Sequence, residues 1–245
     1  MNARPQPHAQ TGLFDAVEAA DAADAVPAGR VELAHGAESA LEFEPGAWLL
    51  RAFALDEAPA LLDAIERVAQ AAAWRHMTTA RGWRMSVAMT NCGAAGWLSD
   101  RSGYRYDAFD PQTGKPWPPM PDAVASLAAR AARAAGFAPF APDACLINRY
   151  APGARLALHQ DRDEAQFDAP IVSVSLGLPA TFLWGGATRS ERARRLGLAH
   201  GDVVVWGGPA RLNFHGIAPL REGHHPQTGS ARFNLTLRRA LAPAG

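Results

Sequence analysis

From Gly136 to its end the chain breaks into short apolar runs at close spacing: "ACLINRY", "RLALHQD", "IVSVSLGL", "TFLWGG", "GDVVVWGG", "ARLNFHGI" and "RFNLTLRR". Turn-forming residues separate them, among them Pro152-Gly153, Gly185-Gly186, Gly201-Asp202 and Gly207-Gly208-Pro209. No helical period survives in this half, and closely spaced strands joined by tight turns can bury their apolar faces only as a sandwich or barrel. The second half of the chain is therefore predicted to be all-β.

The last of these runs has a polar face that meets either water or the inside of that barrel. "RFNLTLR" alternates without exception, with Arg232, Asn234, Thr236 and Arg238 on one face and Phe233, Leu235 and Leu237 on the other. Two arginines on a polar face are ordinary in water. Inside a barrel they need anions, because an unpaired buried charge is very costly. A small dicarboxylate would satisfy both, held by the planar fork that a guanidinium presents to carboxylate. Asn148 and Tyr150 of "LINRY" share one strand face, and each can hydrogen-bond the same kind of ligand.

The stretch "LALHQDRDE", residues 156 to 164, is either an acidic surface turn that contains a histidine or half of a metal site. In an extended segment His159, Asp161 and Asp163 point one way and Gln160 and Arg162 the other, so one imidazole and one carboxylate can reach a single ion. A third ligand must come from elsewhere. His215, in "NFHG" after an apolar run, is the best candidate, since His200 sits in the turn "AHGD" and His224 and His225 lie in a polar loop. Two histidines and a carboxylate with open positions are the arrangement of non-haem Fe(II) oxygenases. The HxD spacing alone recurs by chance and leaves both readings open.

The first half has a different texture. Residues 1–40, rich in alanine, proline and acidic side chains, read as a flexible tail in which "GLFD" is the one candidate for docking. Amphipathic helices are predicted over Glu57 to Ala73, with Leu61, Leu62, Ile65, Val68 and Ala69 at helical spacing, and from about Pro121 to Ala135, stopped by Gly136. Between them "WRMSVAMTN" reads as a strand, with Trp83, Met85, Val87 and Met89 on one face and Arg84, Ser86, Ala88 and Thr90 on the other. The aromatic, turn-rich stretch that follows is either a long packed loop or a lid over a flat ligand. Cys92 and Cys145 lack CxxC spacing and read as buried thiols, not as a zinc site or a disulfide framework. A formal net charge of zero means that a nucleic-acid partner would need a local patch, and "RSERARR", residues 189 to 195, is the candidate stripe. With no apolar run near the length of a membrane helix, the expected location is cytoplasmic.

Several of these runs together, "MSVAMTNCG", "DPQTGKPWP", "PDACLINRYAPGA", "LHQDRDE", "APIVSVSLGLPA", "HGDVVVWGG", "RLNFHGI" and "RFNLTLR", make a highly specific set. Through them the sequence resembles the bacterial AlkB family of Fe(II)/2-oxoglutarate-dependent dioxygenases from about Leu49 to Arg238. The resemblance implies a mainly β fold with flanking helices. Its core would be a double-stranded β-helix (a cupin-like jelly-roll) at about residues 137–240, preceded by a nucleotide-recognition lid at about 73–118, in one domain of residues 41–240. It implies that His159, Asp161 and His215 bind Fe(II) and form the catalytic centre. Asn148, Tyr150, Arg232, Asn234 and Arg238 would line the 2-oxoglutarate site, Arg232 taking the distal carboxylate and Arg238 lying nearer the metal. Trp97 and Tyr104 would meet the base and backbone of the target nucleotide, with Asp163, Arg189 and Met85 also near substrate and Asp163 accepting from an exocyclic amine.

The implied reaction consumes O2 and 2-oxoglutarate and demethylates 1-methyladenine and 3-methylcytosine in single-stranded or flipped-out DNA, and in RNA, releasing formaldehyde from a monomeric enzyme. Alternatives are the same chemistry on modified RNA or protein, and a cupin-like module that holds a metal without catalysis. Trp83 stands where the best-known members have tyrosine, Asn213 replaces an aromatic residue, and the N-terminal tail is longer than usual.

Overall fold

The alternation in the carboxy-terminal half becomes a sheet with two different faces. The structure, a computed structural model, describes residues 40–242, so the predicted tail other than Ala40, and "GLFD" within it, lie outside the described residues. In chain order the elements are β1 (Ala40–Glu44), β2 (Ala47–Leu50), α1 (Ala58–Ala71), β3 (Ala88–Gly93), β4 (Gly96–Asp100), β5 (Gly103–Asp107) and α2 (Asp122–Ala134). They continue with β6 (Ala144–Tyr150), β7 (Leu156–His159), β8 (Ile171–Gly177), β9 (Ala180–Trp184), β10 (Arg194–Leu198), β11 (Val203–Trp206), β12 (His215–Ile217) and β13 (Arg232–Arg238). Seven strands form one sheet in the order β1-β2-β11-β8-β13-β6-β3, four form a second in the order β10-β9-β12-β7, and β4-β5 stand as a separate hairpin. Every predicted run after Gly136 supplies a strand.

In β6, β8, β11 and β13 one set of alternate residues, Cys145, Ile147, Val172, Val174, Leu176, Val203, Val205, Leu235 and Leu237, packs under the two helices. The other set turns inward. Leu146, Tyr150, Ile171, Val204 and Trp206 meet Phe182, Trp184 and Ile217 of the smaller sheet and form a second apolar cluster. This is the packing of a jelly-roll, two sheets sharing an inner layer, with the helices covering one outer face. Helix α1 buries Ala58, Leu61, Ala64, Ile65 and Val68, and α2 buries Val124, Leu127, Ala128, Ala131 and Ala132, one stripe each. Gly136, at φ +82°, follows α2 in the left-handed conformation and ends it as predicted. Both cysteines are fully buried thiols, facing each other across β3 and β6. No helix among the described residues is long and apolar enough to cross a membrane.

The first half departs from prediction in three places. The strand expected to start at Trp83 begins at Ala88, because residues 83–85 pair back on residues 77–79 through an Arg84–Thr78 bridge and a Met85 N–H to Met77 carbonyl bond of 2.9 Å. Met85, Val87 and Met89 keep the expected burial, whereas Trp83 turns to solvent. The aromatic stretch after β3 contains the β4-β5 hairpin, and the β1-β2 hairpin lies at the edge of the large sheet; neither was predicted. Arg194 and Arg195 of the expected basic loop belong to strand β10.

Candidate metal centre and anion pocket

Strands β7 and β12 are antiparallel neighbours in which His159 and His215 are register partners, which places their rings 4.4 Å apart between centroids. Asp161 follows two residues after β7 ends. Its Oδ1 lies 3.6 Å from His159 Nε2 and its Oδ2 lies 3.8 Å from His215 Nε2, and one ligand atom from each of the three residues falls within 4.8 Å of the others. Both imidazoles are oriented from behind. His159 Nδ1 donates to the Ala157 carbonyl at 2.8 Å and His215 Nδ1 to the Asn213 carbonyl at 3.1 Å. A carbonyl only accepts, so each Nδ1 carries the proton and each Nε2 turns a lone pair toward the shared point. The predicted triad is brought together, and the donor set fits a divalent first-row ion with open positions.

The electrostatics keep these groups in their ligating protonation states. Burial lowers the pKa of both histidines. For His215 it falls to about 3, with the neighbouring His159 adding to burial and Asp161 opposing it. Burial alone would raise the Asp161 carboxyl, but Arg238 and the two histidines overcome it and hold the group ionised far below the usual range. Arg238 supplies this by donating to Asp161 Oδ2 from Nε at 2.9 Å and Nη2 at 2.6 Å, leaving Oδ1 on the side of His159.

Three further residues of this network were not predicted. Glu164 is buried and takes Arg238 Nε at 3.1 Å, Arg211 Nη2 at 3.2 Å and the Tyr106 hydroxyl at 2.9 Å. Arg211 also donates to the Asp161 carbonyl at 3.0 Å. Glu164 stands in the quoted acidic run, but nothing in the sequence marks which of that run's carboxylates turn inward.

The histidine shifts carry a pH consequence. Between about pH 6.5, the ordinary imidazole value, and pH 3 the unfolded chain binds a proton at position 215 that the folded chain refuses. The unfolded state then holds more protons, so stability falls as pH falls through this window. Asp163 and Glu164, whose carboxyls burial raises, act in the opposite direction, so the histidine contribution is isolated by difference. The metal-free His215→Phe variant is expected to lose less thermal stability than wild type between about pH 7 and pH 5. Parallel melting curves with equal slopes for the two proteins would contradict the shift.

The second pole of the cavity is Arg232, which is 1 % exposed. Its guanidinium lies 4.9 Å from the centroid of the Tyr150 ring and donates from Nη2 to Ser175 Oγ at 2.9 Å. Its Nε and Nη1 have no hydrogen-bond partner among the described residues, and neither does Asn148 Oδ1. Asn148 Nδ2 donates to Asn234 Oδ1 at 3.2 Å, and Asn234 is fixed in turn by Ser173, Val174 and Thr236. One cavity is lined by Asn148, Tyr150, Arg232, Asn234 and Arg238 together with the three candidate ligands. Unpaired guanidinium donors facing a cavity are a site for a ligand's carboxylate, so the residues present fit a dicarboxylate beside the metal.

Of the residues predicted to meet substrate, Trp97 lines the cavity. Its Nε1 donates to Asp163 Oδ2 at 2.8 Å, and Tyr104 stacks on its ring at 5.8 Å and 10°. Met85 belongs to the same apolar cluster. Tyr104 thus covers one face of Trp97 and Asp163 meets the edge of its indole, and neither these two nor Met85 lines the cavity. Arg189 lies on an exposed loop, its guanidinium 5.8 Å from the Phe214 ring centroid.

Asn213, the departure from the family pattern, has a partner that accounts for it. Its Nδ2 donates to Glu44 Oε1 at 2.7 Å, while Trp184 Nε1 and Arg194 donate to Glu44 Oε2, the former at 2.7 Å. Glu44 thus ties β1 to the residue whose carbonyl orients His215. Glu44→Ala is expected to destabilise the protein by about 2 kcal/mol, since it leaves the buried Trp184 and Asn213 donors unmatched. It should also weaken divalent-metal binding several-fold, on the lower side of the usual loss for such supporting contacts. Chemical denaturation and Co(II) titration measure the two effects.

The sequence profile of the 2OG-Fe(II) oxygenase superfamily matches residues 46–238. The alpha-ketoglutarate-dependent dioxygenase AlkB of Salmonella typhimurium is 59% identical over 196 residues, covering 80% of this chain and 91% of that protein. A DNA N(6)-methyladenine demethylase of Arabidopsis thaliana, ALKBH1D, is 39% identical over 107 residues, covering 39% of this chain and 24% of that one. The solved structure of OsALKBH1 superposes with a TM-score of 0.72 at 27% identity, covering 82% of this chain and all of that one.

Proposed function

Because the chain belongs to the 2OG-Fe(II) oxygenase superfamily and, within it, to the AlkB-type dioxygenases, we propose that it demethylates N-alkylated bases such as 1-methyladenine and 3-methylcytosine in nucleic acid. One observation carries the reading: a two-histidine, one-carboxylate cluster and an incompletely bonded buried guanidinium face the same cavity. In the reaction of AlkB-type dioxygenases, Fe(II) with 2-oxoglutarate and O2 would supply the oxidising power that hydroxylates the N-methyl carbon, whose hemiaminal releases formaldehyde while succinate and CO2 form from the cosubstrate.

The chain's own residues hold and shield that chemistry. His159, Asp161 and His215 would bind the metal, with Arg238 keeping Asp161 charged and fixed. Arg232, Asn148 and Tyr150 would take the far carboxylate of 2-oxoglutarate, and Asn234 keeps Asn148 in place. The aromatic layer of Phe182 and Trp206 borders the cavity beside His215 and excludes water from it. Trp97 offers a flipped base a stacking surface, since Tyr104 covers its other face. Asp163, bonded through Oδ2 to Trp97, would accept from the base's exocyclic amine and attract a positively charged lesion.

Anaerobic addition of Fe(II) and 2-oxoglutarate to the apo protein is expected to give a visible charge-transfer band that neither component gives alone. Succinate release is then compared on methylated single-stranded DNA, methylated tRNA and methylated peptide. Stimulation by peptide alone would refute the nucleic-acid reading, and stimulation by tRNA alone would move the substrate from DNA to RNA.

A further inference from the structure

Of the seven tryptophans, Trp83 alone is exposed, at 70 %. An indole is usually largely buried, and here the backbone fixes it in solvent. The Thr79 N–H donates to the Trp83 carbonyl at 2.9 Å, Trp83 N–H donates to Thr79 Oγ1 at 3.2 Å, and Gly82 turns the chain at φ +84°. Ser99 Oγ, on β4, donates to the Thr78 carbonyl at 2.7 Å. The turn that carries Trp83 is thereby clamped to the strand that carries Trp97. Between Trp83 and the cavity-lining Met89 there is at most about 20 Å of extended chain.

The surroundings of this indole are basic. Arg81 and Arg84 flank it in sequence and Arg101 comes from the β4-β5 turn, all three exposed. An Arg101 Nη2 lies 3.7 Å from the point where a side chain on Gly82 would begin, so this guanidinium sits over the turn. Asp100, which precedes Arg101 in the chain, is engaged by Arg105 at 2.9 Å. On a chain of zero net charge a polyanion must be attracted locally. An accessible aromatic face among arginines provides this, together with a surface on which any base stacks.

We propose that Trp83, with Arg81, Arg84 and Arg101, is a stacking platform outside the cavity for a base flanking the target nucleotide. The proposal deepens the nucleic-acid reading above and rests on it for the identity of the strand. It also sets a preference. In an intact duplex both faces of every base are covered by its neighbours, whereas in a single strand a face is available, so the platform favours single strands over undamaged duplex.

The test is fluorescence anisotropy of undamaged oligonucleotides of about ten nucleotides, single-stranded and duplex, with Fe(II) and 2-oxoglutarate present under argon. Trp83→Ala is expected to weaken single-strand binding roughly tenfold and duplex binding much less, with Trp83→Phe recovering most of the loss. On a strand carrying one N-methylated base to fix the register, replacing the neighbouring bases one at a time by abasic sugars should reproduce the loss at one position in wild type and add little to it in Trp83→Ala. Arg84→Ala and Arg101→Ala should each reduce the salt dependence of binding.

Single-strand affinity within twofold of wild type for Trp83→Ala would overturn the proposal. So would a phenylalanine variant no better than alanine, or equal losses on single strand and duplex. A concentration-dependent dimer that Trp83→Ala abolishes, with strand binding unchanged, would assign the face to a second copy of the chain and overturn it as well. Because binding is read on undamaged strands without turnover, failure of the demethylation reading and failure of the platform are separate results.

Discussion

Asp161→Asn is expected to abolish turnover and to weaken Fe(II) or Co(II) binding by more than about a hundredfold, since loss of a partner one shell further out already costs about 10–100-fold. Asparagine keeps the shape of the side chain and removes the only negative charge among the three candidate ligands. In wild type the Asp161 charge is maintained against burial by Arg238 and by the two imidazoles, and one of its oxygens is wholly engaged by the guanidinium. The neutral amide therefore loses the ion pair and the metal at once. Arg238 does not become an isolated buried charge, because Glu164 remains within reach at 3.1 Å. The variant should accordingly fold, with a stability loss below the roughly 3–5 kcal/mol that follows when a buried pair loses one member outright. Co(II) absorption titration and a melting curve are the measurements. Binding of Co(II) at wild-type affinity would remove Asp161 from the metal site.

Residues whose roles follow from local period were legible in the sequence. In β13 the two-residue repeat fixes which side chains face inward once the strand is recognised, and Arg232, Asn234, Thr236 and Arg238 all prove buried on that face. His215 was reachable because it closes an apolar run, although its pairing with His159 is a property of sheet order that no sequence window contains. Glu44 shows the opposite case. Its partners Trp184, Arg194 and Asn213 lie 140 or more residues away, so only the closure of β2 onto β11 brings it to the metal side of the sandwich.

The β1-β2 hairpin itself could have been found from the Pro45-Gly46 turn between alternating apolar residues. The misplaced start of β3 has a different origin: the alternation of burial continues through Met85 and Val87, but period alone does not say which neighbour a strand pairs with. The same limit hides the three-way contact of Glu164, since a carboxylate near a strand end in sequence is as readily solvated as buried.

Arg232→Met is expected to separate function from stability by moving them in opposite directions. The guanidinium is buried with two of its nitrogens unpartnered, a state that costs the apo protein free energy. Methionine is similarly long, flexible and apolar, and can fill the space beside Tyr150 without adding an unmet donor. Replacing buried ionic groups by apolar ones of similar volume is neutral or stabilising by about 1–4 kcal/mol. At about 2–4 °C per kcal/mol for a chain of this size, the apo melting temperature should stay level or rise by several degrees.

The cosubstrate moves the other way. Removing one partner of a desolvated, hydrogen-bonded charge pair costs about 2–5 kcal/mol, so the affinity for 2-oxoglutarate should drop by roughly 30-fold to several thousand-fold. In wild type, 2-oxoglutarate with a redox-inert divalent ion should raise the melting temperature through selective binding to the folded state, and in Arg232→Met this rise should vanish at the same concentrations. Arg232→Lys keeps the charge without the planar fork and should fall between the two. If the apo variant melts several degrees below wild type while 2-oxoglutarate still stabilises it fully, then Arg232 is a structural residue of the barrel and the far carboxylate is held elsewhere.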